Sequence, residues 1–255
     1  MRIGIVADVH ANLEALEPVL VWLDGQDIEE IVCLGDVVGY GGDPERCIEI
    51  VRARCSITVR GNHDHAVFEP ALRSEFNDHA RRAVERHAEM LGQGERDWLA
   101  SLPPVASRES LAFGHAGFAN PERYPYVTDP ARAAVEIAAM SGVVGFIGHT
   151  HVPAIFRASP DGSVERVVPA GGKERGEDGA GELSVSLDGP WRYLVNPGSV
   201  GQPRDRDPRA ACSVYDTSEA VLTLARIRYD IPGAQEAIVE RGLPAFEASR
   251  LALGM

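Results

Sequence analysis

The sequence predicts an α/β protein in which an N-terminal parallel sheet is followed by a second, largely antiparallel sheet. Three observations lead to this class. Short apolar runs alternate with amphipathic stretches across residues 2–59, a rhythm that closes into right-handed crossovers. Beyond residue 151 helical periodicity thins and period-two alternation replaces it. The chain has 255 residues and is 44% hydrophobic, enough to bury a sizeable core.

Residues 2–7 read as a short buried strand. Asn12 caps a helix over 12–24 whose apolar face is Leu13, Leu16, Val19, Leu20 and Leu23. Residues 30–34 are the second strand. Asp43-Pro44 opens another helix, since Asp accepts from free N–H groups at a helix start and Pro suits the first turn. Residues 56–59 are a third strand. Residues 71–101 read as helical and charged, ending at Leu102-Pro103-Pro104. Residues 105–113 return to extended structure, with His115 in the loop behind them. Asp129-Pro130 opens a helix to about Met140, and 143–147 is a buried strand. Alternation at 153–157, 163–168, 182–187, 191–195, 210–216 and 221–228 predicts the strands of the second sheet. The polar, glycine-rich stretch 171–181 lies in an expected flexible hairpin or loop near 158–190. Short helices over 232–253 close the chain. No repeat or linker divides it, so a single domain over 1–255 is expected.

The net charge is −13 and the pI about 5.1, which makes duplex nucleic acid an unlikely general partner because such binders need surface Lys and Arg. Cys33, Cys47, Cys55 and Cys212 show no paired spacing and read as free thiols rather than zinc ligands. The chain starts directly into a strand, and no stretch is long and apolar enough to span a bilayer. A cytoplasmic protein without membrane contact is the expectation. The apolar residues Leu243, Phe246, Leu251 and Leu253 could pack within or between chains, so the oligomeric state is left open.

Four blocks carry the chemistry: Asp8-Val9-His10, Gly35-Asp36-Val37-Val38-Gly39, Gly61-Asn62-His63-Asp64 and Gly148-His149-Thr150-His151. Each follows a predicted strand, where ligands gather in open α/β sheets. Gly35, Gly61 and Gly148 are expected to let the backbone turn sharply. Divalent ions that activate water on phosphoesters take carboxylate, imidazole and carbonyl ligands. Asp8, His10, Asp36, Asn62, His115, His149 and His151 supply such a set, short of full coordination for two ions, so that water and substrate can enter. A two-metal phosphoester hydrolase is the leading reading.

The ordered blocks resemble the calcineurin-like metallophosphoesterase superfamily, whose pattern is D-x-H, GD-x-x-G, GNH-[D/E], a separate His and GH-x-H. Residues 31–42 and the run Asn196-Pro197-Gly198-Ser199-Val200-Gly201-Gln202-Pro203-Arg204 are similar to a bacterial branch labelled YfcE- or diadenosine-tetraphosphatase-like. The resemblance implies a four-layer α/β/β/α sandwich with two mixed central sheets. It implies one metal on Asp8, His10, Asp36 and His151, and another on Asp36, Asn62, His115 and His149, with Asp36 bridging. A metal-activated hydroxide would attack phosphorus in line. His63 would stabilise the transition state or protonate the leaving group, and Asp64 would orient it. The block around His115 departs from the family's commoner V-H-G. The mixed nitrogen and oxygen set suits manganese, with iron, zinc, nickel or magnesium as alternatives.

Arg204 is a candidate substrate contact, because a guanidinium presents two parallel donors to phosphate oxygens. Asn196 and Gly198 are expected to shape the loop beside the site, Tyr40 to line its mouth, and 118–127 to form a rim. His79 and His87, in a charged helix, are expected to face solvent, and His65 to start a helix. The expected substrate is a small or medium phosphoester. Two alternatives stand beside the hydrolase. A non-catalytic scaffold of the same fold is disfavoured by the presence of His63 and every ligand position. A DNA nuclease is disfavoured by the short, acidic chain.

Overall fold

A computed structural model describes residues 1–167 and 181–255. The predicted glycine-rich loop at 171–181 lies outside the described residues except for Gly181. The chain opens with the expected alternation: β1 (Arg2–Val6), α1 (Leu13–Asp24), β2 (Glu30–Cys33), α2 (Pro44–Arg54) and β3 (Ile57–Thr58). Asn12 caps α1, accepting from the Ala15 N–H at 3.1 Å. Asp43 occupies the cap position of α2 without making a capping bond; its carboxylate instead accepts from Arg241 at 3.3 Å.

The charged middle becomes α3 (Asn62–Phe68), a 3-10 turn (Pro70–Glu75), α4 (Asp78–Met90) and α5 (Gln93–Ser101). Next come β4 (Val105–Arg108), β5 (Leu111–Gly114), α6 (Pro130–Ala139) and β6 (Val144–Phe146). The remaining strands are β7 (Ala154–Ala158), β8 (Val164–Arg166), β9 (Gly181–Ser186), β10 (Arg192–Asn196), β11 (Ala210–Asp216) and β12 (Val221–Ile227). Helices α7 (Ile231–Glu240) and α8 (Ala245–Leu251) close the chain. Among the described residues, no helix is long and apolar enough to cross a membrane.

Two mixed six-stranded sheets result, ordered β3-β2-β1-β11-β12-β9 and β4-β5-β6-β10-β7-β8. This corrects the sequence reading, which put every late strand in one antiparallel sheet. Strands β9, β11 and β12 belong to the first sheet, because β11 pairs with the open edge of β1, with Ile3 opposite Tyr215. Period-two alternation identifies a strand but not the edge it will join.

The alternation sorts side chains to two faces. Ile3 and Ile5 of β1 and Val32 of β2 point into a core shared with Phe113, Phe146 and Val195 of the second sheet. Val6, Ile31 and Cys33 point the other way, onto α1 and α2 through Leu16, Val19, Leu23 and Ile48. On the far side of the second sheet, Ala133 and Ile137 of α6 pack on Ala112, Phe156 and Leu194. The layers are therefore helix, sheet, sheet, helix. Each sheet has three parallel neighbours, β3-β2-β1 in one and β5-β6-β10 in the other. Loops from the carboxyl ends of both triplets carry the candidate site residues.

Candidate metal centre

The loop after β1 holds Asp8 and His10, and that after β2 holds Asp36. The start of α3 holds Asn62, the loop after β5 holds His115, and that after β6 holds His149 and His151. Asp8, His10, Asp36, His149 and His151 all lie in the left-handed region, with φ of 53°, 50°, 51°, 67° and 60°. Such a conformation costs a non-glycine residue about 1–3 kcal/mol. It is held by main-chain bonds that extend the strand pairing: Asp8 N–H to Gly35 O at 3.0 Å, His10 N–H to Asp36 O at 2.8 Å, and Gly148 N–H to His115 O at 2.7 Å. Residues i and i+2 on an extended chain point to one face; the left-handed twist at both positions aims each D-x-H or H-x-H pair inward.

The imidazoles are oriented by carbonyls. Nδ1 of His10, His115 and His151 faces the oxygens of Val38, Leu34 and Gln202 at 3.0, 2.8 and 2.6 Å. An Nδ1–H engaged in this way turns Nε2 toward the centre as a ligand atom. Nε2 of His10 and His151 approach to 3.0 Å, and His151 Nε2 lies 3.6 Å from Asp8 Oδ1. In the second group His115 Nε2 lies 3.2 Å from Asn62 Oδ1 and 3.2 Å from His149 Nδ1. Asp36 joins the groups through one atom: Oδ2 is 3.7 Å from His10 Nε2 and 3.4 Å from His115 Nε2. Its Oδ1 accepts from the His63 N–H at 2.8 Å.

These donors fit divalent metal. All the candidate acids and histidines are buried, and nitrogen lone pairs face one another where a cation would satisfy them. Burial, helped by the neighbouring Asp36 carboxylate, pushes Asp8 up to about 7; burial, helped by the charge of His115, lowers His149 to about 3. Burial also works against His115, but the Asp36 carboxylate, together with Asp8 and the Leu34 carbonyl, outweighs it and raises the imidazole to about 9. For Asp36 burial acts upward, yet His115, His63 and His10 hold it below the usual carboxylate range. A divalent cation would take over the charge balance that His115 provides here.

His63 sits between the rings of His10, Tyr40 and Phe76, with centroids 4.9, 4.5 and 4.7 Å away. Burial lowers its pKa to about 4. The expected carboxylate-to-imidazole bond from Asp64 is absent. Asp64 Oδ1 accepts from the N–H groups of Val37 and Val38, at 2.9 and 3.2 Å, and Oδ2 from that of Gly61 at 3.0 Å. His63 Nδ1 has no hydrogen-bond partner among the described residues. Asp64 therefore fixes the Asp36 loop against the start of α3 and makes no hydrogen bond to the His63 ring. The glycine reading also changes. Only Gly35 of the three flanking glycines has positive φ, at 86°. At Gly61 the need is close approach, since a Cβ would lie 2.0 Å from Asp36 Oδ1.

Arg204 is half-buried at the edge of the centre. Its guanidinium donates to Gln202 Oε1 at 2.8 and 3.3 Å and to the Tyr40 hydroxyl at 3.3 Å. Among the described residues no carboxylate pairs with it. Gln202 in turn donates from Nε2 to Glu247 Oε2 at 2.8 Å, and Glu247, on α8, is 1% exposed. Asn196 donates to Gly148 O at 2.6 Å and accepts from the Gly198 N–H at 2.9 Å, binding the loop after β10 to the one after β6.

Three supports were missed in the sequence. Glu247 and Gln202 gave no signal beyond their place near Arg204 or in a short helix. Glu136 on α6 accepts from the Phe118 and Ala119 N–H groups at 2.5 and 2.9 Å. His87, expected in solvent, is fully buried. Its Nδ1 accepts from the Gly39 N–H and its Nε2 donates to Gly41 O, both at 2.9 Å. The signal was present: His87 completes the buried stripe Ala80, Ala83 and Val84, which the charges of α4 concealed. His79 is exposed as expected, and His65 lies within the first turns of α3.

The model of the calcineurin-like phosphoesterase superfamily domain matches residues 1–220. The chain is 33% identical over 256 aligned positions to an uncharacterized protein of Methanocaldococcus jannaschii, covering 99% of this chain and 98% of that one. The crystal structure of a metallophosphoesterase from Sphaerobacter thermophilus is 34% identical with a TM-score of 0.84, covering 100% and 99% of the two chains. A hypothetical protein of Pyrococcus horikoshii OT3 shares the fold at 17% identity, with a TM-score of 0.76 and coverage of 100% and 98%.

Proposed function

The chain belongs to the calcineurin-like phosphoesterase superfamily, and we propose that it is a metal-dependent phosphoester hydrolase, a phosphatase or phosphodiesterase, with a dinuclear centre. The observation that carries this reading is Asp36 Oδ2, which faces both His10 and His115 and so offers one oxygen to two ions. Asp8, His10, Asp36 and His151 would hold one ion; Asp36, Asn62, His115 and His149 would hold the other. Such ions, manganese best among those this donor set suits, supply an activated water and neutralise charge building on the phosphoryl group.

The chain's own residues do the rest. His63 stands beside the centre, neutral at pH 7 because it is buried. A phosphoryl group brought next to it adds negative charge that favours the imidazolium, placing a proton within reach of the departing oxygen. Arg204 has guanidinium donors to spare for non-bridging phosphoryl oxygens. Tyr40 and Phe76 pack around His63 and keep water from its ring.

The test is turnover of p-nitrophenyl phosphate and bis-p-nitrophenyl phosphate by metal-stripped protein titrated with Mn²⁺, beside His63→Ala. Manganese-dependent turnover should appear and fall by about 10²–10⁴-fold in the variant, the usual range for a lost acid–base group, with metal content unchanged. Two bound metals without turnover of either ester would favour a binding scaffold instead.

A further inference from the structure

We propose that Tyr126 is a stacking platform for a ring carried by the substrate, so that the phosphoesters bound here are those of nucleosides; this rests on the phosphoester reading above. Tyr126 is 54% exposed. Its ring nevertheless lies on that of His149, with centroids 4.2 Å apart and planes inclined by 38°. A large aromatic left in water at the lip of a metal centre forgoes most of the stabilisation that burial gives. Its loop holds it there.

That loop is pinned along its length. Glu136 ties down Phe118 and Ala119. Glu122 pairs with Arg60 at 2.5 Å. Tyr124 is left-handed at φ 47°, with its hydroxyl 2.9 Å from His65 Nδ1. Val127 is buried, and Pro121 and Pro125 restrict the backbone between the anchors. Tyr126 is thus presented in a fixed place, with part of its ring on His149 and the rest open to an incoming group. A preformed surface of this kind binds without an ordering cost.

The distance selects the ligand. A ring stacked on the far side of Tyr126 would lie roughly 9–11 Å from the His149 ring, adding an ordinary stacking separation to the observed 4.2 Å. The phosphoryl group must sit beside His149 Nδ1. A ring bonded directly to the ester oxygen cannot reach both places. A nucleoside can, because a ribose separates base from phosphate. Every base has a π-face, so the platform selects nucleosides as a class and not one base.

Equilibrium binding by calorimetry tests this on the manganese-loaded protein, with the methylenephosphonate analogues of AMP and glycerol phosphate as probes: a CH₂ in place of the ester oxygen keeps both from being hydrolysed, and only one has a ring. The AMP analogue should bind about 5- to 150-fold more tightly, the range for one stacked base. That ratio should fall to near one in Tyr126→Ala and persist in Tyr126→Phe. A wild-type ratio near one, a ratio unchanged in Tyr126→Ala, or a Phe variant as poor as Ala would overturn the platform and leave the phosphoester reading standing. Failure of both compounds to bind would overturn both.

Discussion

Asp36 concentrates the site's dependence in one atom. Asp36→Asn keeps an oxygen for the His63 N–H but turns an NH₂ toward the two donor groups that Oδ2 now faces. Metal content measured by atomic emission should therefore fall at both positions at once; a variant retaining both ions would refute the shared oxygen. Glu247 acts at one remove. A carboxylate only accepts, so it draws the Gln202 NH₂ and leaves the amide oxygen for Arg204. Glu247→Gln permits the amide to flip and face Arg204 with a donor. KM for a phosphoester should then rise on the order of 10-fold, with kcat and metal content little changed. A lower melting temperature with unchanged KM would give Glu247 a purely structural part. Residue type decides what was legible here. Imidazoles and carboxylates in ordered blocks announce a metal site, whereas Glu247, Gln202 and Glu136 are ordinary residues whose partners lie far away in sequence.

Among elements, α4 clamps the far end of the loop after β2, whose near end α3 already holds through Asp64. Its His87 accepts from Gly39 and donates to Gly41, bracketing Tyr40, itself left-handed at φ 64°. Gly39 must remain glycine, because a Cβ would lie 2.3 Å from His63 Nδ1; the clamp therefore also sets the floor under the His63 ring. Burial lowers the His87 pKa to about 3, below its unfolded value near 6.5. The unfolded chain then binds the extra proton, so this contribution is fully present above about pH 6.5 and drains away as the pH falls toward 3. Urea unfolding of metal-stripped protein should show wild type losing stability between pH 7 and 5 more steeply than His87→Gln; parallel slopes would exonerate His87. Most strands and helices were legible because periodicity is local. Sheet membership was not, because the pairing of β11 with β1 joins residues some 200 positions apart, as in Ile3 with Tyr215.

Across the whole molecule, the site spans two sheets. Asp8, His10, Asp36 and Asn62 follow strands of the first, and His115, His149 and His151 follow strands of the second. Ions bound between them stabilise only the docked pair of sheets. Free Mn²⁺ at about 100 times Kd should add about 2.7 kcal/mol per site, or very roughly 5–10 °C in Tm for a domain of this size; a Tm indifferent to Mn²⁺ and chelator would mean that the ions do not join the layers. The sandwich itself was legible through the resemblance, and the motif order made it so. The left-handed backbone at Asp8, His10, Asp36, His149 and His151 bears on protein design. Copying the seven candidate ligand side chains onto another α/β scaffold would transplant the chemistry's alphabet without its spelling. A host whose loops are relaxed at those positions would splay each pair apart, so a successful graft must carry over the main-chain bonds from Gly35, Asp36 and His115 that keep the loops wound.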